Sequence, residues 1–309
     1  MRVAVTTSTF AEYDEEPLRL LRAGGMDIVF NPHRRTLAES EAADILRGCS
    51  GVVAGTEPLT AAVMDAAPGL KVISRCGSGL DNVDAAAARA RGIQICSTPF
   101  APVEAVAELT LALALDLSRR ITLMDREVRA GTWKKRMGSL LAGKQVGIFG
   151  FGRIGRKVAS LFTLMGCETA FCDPGVAGDG SCRRMEGDDL LAWADIITLH
   201  CPPRADGRPL LDAAGLGRMK DGALLINAAR GGLVDESALA DALQSGKAAG
   251  AALDVFTREP YPPSGPLASL PGVILTPHIG AYAAETRAAM ETESVRNLLA
   301  VLHGKNCGK

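Results

Sequence analysis

The chain has 309 residues, with 34 Lys and Arg against 35 Asp and Glu, a formal net charge of −1. With 47% apolar and 22% charged residues it has the composition of a folded globular protein rather than a disordered one, and at ~100–200 residues per domain its length suggests about two domains. The balanced charge excludes a nucleic acid or an anionic membrane as an electrostatically recruited partner, and Glu108 and Asp116 interrupt the longest apolar stretch before it reaches the ~20 residues of a membrane span.

The first run, Arg2-Val3-Ala4-Val5-Thr6, is too short for a signal peptide and reads as a strand. Short Val- and Ile-rich runs follow at 52–54, 72–74, 146–149, 169–172, 196–199, 224–227 and 273–275. Amphipathic helical segments lie among them at 37–47, 83–91, 154–165 and 236–245, and two longer helices are expected at 104–117 and 283–302. Such alternation is the pattern of parallel sheets covered by helices on both faces, so the fold class is α/β. No repeat of solenoid length is present. The eight cysteines, at 49, 76, 96, 167, 172, 182, 201 and 307, include no C-x-x-C pair and no zinc spacing. They are expected to be buried small hydrophobes in a reducing cytoplasm, with no metal site.

The domain plan turns on a glycine-rich loop. The apolar run 146–149 leads into Gly150-Phe151-Gly152-Arg153-Ile154-Gly155, which opens a helix. In a dinucleotide-binding turn, Gly150 permits the tight turn, Gly152 lets the backbone approach a pyrophosphate, and Gly155 allows close helix–strand packing. The phosphates would meet free N–H groups at the helix start. Asp173 closes the next strand and is placed to accept the adenosine ribose hydroxyls. Its charge opposes a 2′-phosphate, so NAD is favoured over NADP, with Arg183 and Arg184 the nearest residues that could alter that preference. A nucleotide domain beginning this late leaves a separate domain ahead of it, and the C-terminus returns to that first domain. The expected division is residues 1–98 plus 283–309 for the substrate domain and 99–282 for the NAD-binding domain, with a cleft between.

Hydride transfer to a keto acid needs a cation for the carboxylate and carbonyl and an acid/base working near neutrality. Three strand ends supply candidates. Arg230 follows 224–227, Glu259 lies beyond the apolar stretch ending at Phe256, and His278 follows 273–275. Open parallel sheets place their ligands at this edge. Glu259 against His278 would hold its tautomer and favour its charged form, making it a proton donor to a developing alkoxide.

Several longer motifs carry a family resemblance. They are Ser74-Arg75-Cys76-Gly77-Ser78-Gly79-Leu80-Asp81-Asn82-Val83-Asp84, Val106-Ala107-Glu108, the glycine turn, Asn227-Ala228-Ala229-Arg230-Gly231-Gly232-Leu233-Val234-Asp235-Glu236, Ala252-Leu253-Asp254-Val255-Phe256, Glu259-Pro260 and Pro277-His278-Ile279-Gly280. Nearly end to end, the chain resembles the D-isomer-specific 2-hydroxyacid dehydrogenases, most closely the short phosphoglycerate dehydrogenase-like members. The resemblance implies two Rossmann-like doubly wound domains, the substrate domain discontinuous, and a homodimer formed through the nucleotide domain. It implies Arg230, Glu259 and His278 as catalytic residues. For the cofactor it implies Arg153 and Ile154 at the phosphates, Asp254 at the nicotinamide carboxamide, and Thr98, Cys201, Pro202, Ala228, Ala229, Arg230 and His278 along the remaining surface. For the substrate it implies the N–H groups of Gly77, Ser78 and Gly79 beside Arg230 and His278.

The expected activity is reversible hydride transfer between NADH and a small 2-keto acid. The alternatives are a hydroxypyruvate or glyoxylate reductase and a non-catalytic NAD-sensing interaction protein. Arg75, next to the Gly77 loop, inclines the expectation slightly towards a substrate with a second anionic group, because a guanidinium matches phosphate or sulfonate bidentately. Departures from the family pattern are Pro102, where Asn is common, and Arg204-Ala205-Asp206-Gly207-Arg208, where relatives carry threonines. The chain ends at Lys309, so a C-terminal regulatory domain is not expected.

Overall fold

The computed structural model describes residues 1–178 and 180–307 and divides the chain into two units, Met1–Pro102 with Ala281–Lys309, and Val103–Gly280. The first is built on five strands, β1 (Arg2–Val5), β2 (Asp27–Phe30), β3 (Gly51–Ala54), β4 (Val72–Arg75) and β5 (Gln94–Cys96). They pair in parallel in the order β2-β1-β3-β4-β5. Helices α1 (Glu16–Ala23), α2 (Glu39–Leu46), α3 (Ala61–Asp65) and α4 (Ala85–Ala90) connect them. The central strand β3, GVVA, is apolar throughout because both of its faces are buried. Ala4, Val52 and Ile73 pack against the α2–α4 side, while Val3, Val5, Val53 and Val72 pack with Val295 and Leu298. The edge strands β2 and β5, with sequences DIVF and QIC, are too short and mixed for periodicity to reveal.

Val295 and Leu298 belong to a C-terminal helix, Ala284–Leu302, that completes the first unit's core. A reciprocal hydrogen bond locks it in place: Ser74 Oγ donates to Ser294 O at 2.7 Å and Ser294 Oγ donates to Ser74 O at 2.9 Å. Gly51 is a glycine for the same reason, since a Cβ there would lie 2.9 Å from Val72 Cγ1 and 3.2 Å from Leu298 Cδ1. One expectation needs correction. Cys96 and Cys307 form a disulfide, so two of the eight cysteines are a cross-link between β5 and the chain end rather than isolated small hydrophobes. The other six are free, with Cys49, Cys76 and Cys167 buried.

The second unit opens with α5 (Pro102–Arg119) and α6 (Ile121–Arg129). Pro102 suits the first helical position, where its missing N–H costs nothing. Seven parallel strands follow: β6 (Gln145–Phe149), β7 (Glu168–Cys172), β8 (Arg183–Arg184), β9 (Ile196–Leu199), β10 (Ala223–Asn227), β11 (Ala248–Leu253) and β12 (Val273–Leu275). Their order is β12-β11-β10-β9-β6-β7-β8, which reverses direction between β6 and β9, as in dinucleotide-binding sheets. Helices α7 (Arg153–Leu164), α8 (Gly187–Trp193), α9 (Ala213–Arg218) and α10 (Glu236–Gln244) lie between strands. Asp212 and Asp235 cap α9 and α10 by accepting first-turn N–H groups. Successive strand residues alternate between two cores, Ile197 and Leu225 in one, Val146, Ile148 and Ile226 in the other. Among the described residues no helix is long and apolar enough to cross a membrane.

Leu298 is fully buried in the first unit. Leu298→Ala is expected to reduce the free energy of unfolding by ~2–5 kcal/mol, read as a lower denaturation midpoint for the tryptophan-free first unit by hydrogen exchange.

Candidate active site

The C-terminal edge of the seven-stranded sheet gathers most of the expected site residues, and steric contacts explain how. Gly150 has φ +91°, and a Cβ on it would lie 2.5 Å from His200 O. A Cβ on Gly155 would lie 2.1 Å from Gly150 O, so α7 can start this close to β6 only with glycine there. Around Gly152 nothing lies within 4 Å of an added Cβ. Gly152 is also the N-cap of the 12-residue α7 and provides no side-chain cap, which leaves the first-turn N–H groups facing an open approach. Arg153 is exposed at that first turn and Ile154 half-buried. Asp173, beyond β7, accepts the Phe151 N–H at 2.7 Å and the Gly175 N–H at 2.8 Å. It ties the glycine turn to the next strand and keeps lone pairs on both oxygens. These residues fit a dinucleotide: a bare helix N-terminus for the pyrophosphate and a fixed carboxylate a strand away.

His200, which the sequence did not mark, backs this turn through its carbonyl. Its ring is buried, with Nε2 2.8 Å from Thr198 Oγ1, and burial lowers its pKa to about 3, so the imidazole is neutral. The neighbouring Cys201 thiol is pushed up to about 11, chiefly by burial, and Pro202 is exposed.

At the other strands of the same edge, His278 Nδ1 lies 2.8 Å from Glu259 Oε2. Both side chains keep access to solvent, at 41% and 37% exposure. Glu259 Oε1 accepts the Phe256 N–H at 3.1 Å. Partial burial opposes ionisation of Glu259, but the hydrogen bond and charge of His278, the Phe256 N–H and the Arg230 charge outweigh it and hold the carboxyl below its ordinary range. His278 has φ +57°, a left-handed conformation held by Asp254. Asp254 is 1% exposed; Oδ1 accepts Thr276 Oγ1 at 2.6 Å and the Ile279 N–H at 2.8 Å, and Oδ2 accepts the Gly280 N–H at 2.8 Å. In this structure Asp254 therefore shapes the His278 loop.

Arg230 is carried by the loop after β10. Asn227, fully buried, accepts the Ala229 N–H at 3.1 Å and donates from Nδ2 to Arg230 O at 2.9 Å, so Ala228 and Ala229 form a tight bend. The Arg230 guanidinium donates to Ala229 O at 2.6 Å. A Cβ on Gly231 would fall 1.8 Å from Phe256 C, which presses this loop onto the one bearing Glu259. Asn227 and Gly231, which the sequence showed only as part of a motif and without a role, position this loop. A buried Asn ending an apolar strand was the available signal.

The remaining candidates belong to the first unit. Gly77 has φ +148°, and the space its Cβ would take is filled by Arg75, whose Nη1 lies 2.5 Å away. The Arg75 guanidinium donates to Cys76 O. The Gly77 N–H is given to Thr98 Oγ1 at 2.8 Å and Arg75 O at 3.0 Å. Room expected for a ligand at Gly77 is thus occupied by Arg75, and Thr98, fully buried, serves the loop. Ser78 is exposed and Gly79 half-buried.

A bare helix start behind a glycine turn, at the switch point of a parallel sheet, defines a dinucleotide-binding α/β protein. Comparison with known proteins specifies it further. The sequence profile described as "D-isomer specific 2-hydroxyacid dehydrogenase, NAD binding domain" matches residues 111–280. The chain is 43% identical to the D-3-phosphoglycerate dehydrogenase of Mycobacterium leprae over 258 residues, 81% of this chain and 49% of that protein. It is 40% identical to the glyoxylate reductase of Thermofilum pendens over 261 residues, 81% of this chain and 77% of that one. A solved structure from Thermus thermophilus superposes with a TM-score of 0.93 at 38% identity, covering 100% of this chain and 99% of the other. The chain belongs to the D-isomer specific 2-hydroxyacid dehydrogenases, and its cofactor is NAD. It spans about half the length of the mycobacterial phosphoglycerate dehydrogenase it matches.

Asp173→Ala removes the carboxylate fixed beside the glycine turn, and with it a negative charge that opposes a 2′-phosphate. NADH affinity is expected to fall roughly tenfold or more, as for other hydrogen bonds to a charged group, and the preference for NADH over NADPH to shrink, both measured by fluorescence titration.

Proposed function

We propose that the protein is an NAD-dependent dehydrogenase acting reversibly between a small 2-keto acid and its D-2-hydroxy acid. The observation that carries this reading is the 2.8 Å hydrogen bond between His278 and Glu259, within charge reach of Arg230 on the same sheet edge. The names of the relatives, D-3-phosphoglycerate dehydrogenase and glyoxylate reductase, support a substrate of this class. Bound NADH supplies the hydride.

The side chains do the rest. Because Nδ1 of His278 is engaged by Glu259, Nε2 is the ring nitrogen left to donate a proton to the oxygen developing on C2. Glu259 orients the imidazole through that hydrogen bond. Arg230 binds the carboxylate and polarises the carbonyl, a role suited to a planar guanidinium. We assign cofactor contacts to Gly150, Gly152, Arg153, Ile154, Gly155 and Asp173, with Cys201, Pro202, Ala228 and Ala229 along the same edge.

We also infer a homodimer and a cytoplasmic location. The segment 121–140 leaves Ile121, Val128, Trp133, Met137 and Leu140 exposed, at 49% or more each, an apolar display typical of an association surface. A Trp133→Glu/Met137→Glu double variant is expected to sediment as a monomer where the wild type sediments as a dimer.

His278→Ala is expected to lower kcat by ~10²–10⁴ while NADH still binds. Glu259→Gln removes the carboxylate that accepts from His278 Nδ1, and kcat is expected to fall in steady-state assays while NADH still binds. An unchanged kcat would show that Glu259 does not orient the imidazole.

A further inference from the structure

Glu259 stands on a short loop whose two ends are joined by aromatic rings. Thr257, Arg258, Glu259 and Pro260 are exposed, whereas Phe256 before them is buried and Tyr261 after them half-buried. The rings of Phe256 and Tyr261 meet with centroids 4.5 Å apart and planes tilted by 34°. Aromatic pairs at this separation attract beyond the area they bury. The contact closes the base of the segment 256–261, with the Glu259 carboxyl near its tip.

The two ends of that segment are held by different means. At the first end the backbone is fixed: the Thr257 N–H donates to Glu236 Oε1 at 2.8 Å, and a Cβ on Gly231 would fall 1.8 Å from Phe256 C. Beyond Thr257 this support stops. Among the described residues the N–H groups of Arg258, Glu259 and Tyr261 make no hydrogen bond, so the second end depends on the Tyr261 side chain.

That side chain is well anchored. Its hydroxyl accepts the Leu267 N–H at 3.1 Å, and Leu267 is fully buried in the core that also holds Phe256, Leu225 and Leu253. The Gly265 N–H donates to Pro262 O at 2.9 Å and the Ala268 N–H to Gly265 O at 3.1 Å, which turns the chain back onto the ring. A Cβ on Gly265 would lie 2.6 Å from Tyr261 Cε1, so only glycine lets the chain pass this close. The ring thus links a core residue to Phe256, whose N–H holds the Glu259 oxygen that does not meet His278.

We propose that Tyr261 is a positioning residue for the Glu259–His278 pair. Acting through Phe256 and the loop base, it sets where the Glu259 carboxyl stands against the imidazole. The proposal rests on the dehydrogenase reading above. A misplacement of about 1 Å at a reacting group costs roughly a hundredfold in rate, so a ring remote from the chemistry has the leverage to set kcat.

The test is steady-state reduction of glyoxylate and hydroxypyruvate by the full chain with NADH, with NADH affinity from fluorescence titration as the measure of folding. Tyr261→Ala removes the ring. Its kcat is expected to fall about tenfold to a hundredfold, with KM and NADH affinity within about threefold of wild type. Tyr261→Phe keeps the ring contact, gives up only the bond to the Leu267 N–H, and is expected to recover most of the lost kcat. In a Glu259→Gln background Tyr261→Ala is expected to cost nothing more, because changes that act through one group do not add. Tyr261→Leu keeps apolar bulk without a ring and is expected to match the alanine variant; it decides the question if that variant does not bind NADH. A wild-type kcat without the ring, a phenylalanine variant as slow as the alanine one, or losses that multiply with Glu259→Gln would overturn the inference and leave the dehydrogenase reading standing. No NADH oxidation by the wild type with either acid would overturn both.

Discussion

The Asp254 carboxylate is the contact on which the edge of the second unit that carries Glu259 and His278 depends. It sits at the end of β11, one of its oxygens held by Thr276 and Ile279 and the other by Gly280, all on the loop after β12. A non-glycine residue at positive φ, such as His278, is strained and persists only where its surroundings over-determine it. Three hydrogen bonds to one buried carboxylate provide that, and an anion accepting N–H donors makes stronger bonds than a neutral acceptor does. Burial raises the Asp254 carboxyl, while Thr276, Ile279, Gly280 and His278 pull the other way. The imidazole then meets Glu259 without either side chain being buried deeply.

Steric gaps arrange the rest of that edge. Gly150, Gly155 and Gly231 each stand where a Cβ would strike backbone within 2.5 Å. Gly150 and Gly155 set α7 against β6 and β9. Gly231 sets the Arg230 loop against the Phe256–Thr257 peptide. Backbone cannot yield as a flexible side chain can, so any larger residue would separate these loops. The hydrogen bonds of Asn227 and Asp173 then fix loops that glycine has allowed to approach.

How much of this was legible depends on what kind of contact does the work. The buried strands were readable because both faces demand apolar residues, giving runs such as VVA in β3 and IITL in β9. The α/β class followed from their alternation with helices. The glycine turn was readable because its three glycines have separate local reasons. Strands β2, β5 and β8 were not, since an edge strand needs few apolar residues; β8 is Arg183–Arg184 alone. Strand β11, rich in alanine, showed only as an apolar stretch. Arg230, Glu259 and His278 announced themselves by residue type at strand ends, and the sheet brings Glu259 and His278 into contact. What stayed hidden is set by atoms distant in the chain: the Arg75 guanidinium filling the space at Gly77, Thr98 receiving the Gly77 N–H, and the pairing of Cys96 with Cys307, 211 residues apart.

The C-terminal helix has a consequence for the order in which the protein is made. Leu298 and Val295 are part of the first unit's core, yet they leave the ribosome only after the second unit has been made. Strands β1 to β5 emerge with one face of their sheet only partly covered, by Leu21 of α1, and the whole of Val103–Gly280 is synthesised before Val295 and Leu298 complete that cover. At about 5–20 residues per second the wait is on the order of 10–40 seconds. Over that interval the nascent chain holds Val3, Val5, Val53 and Val72 without Val295 and Leu298 against them, while the later-made unit already has everything it needs to fold.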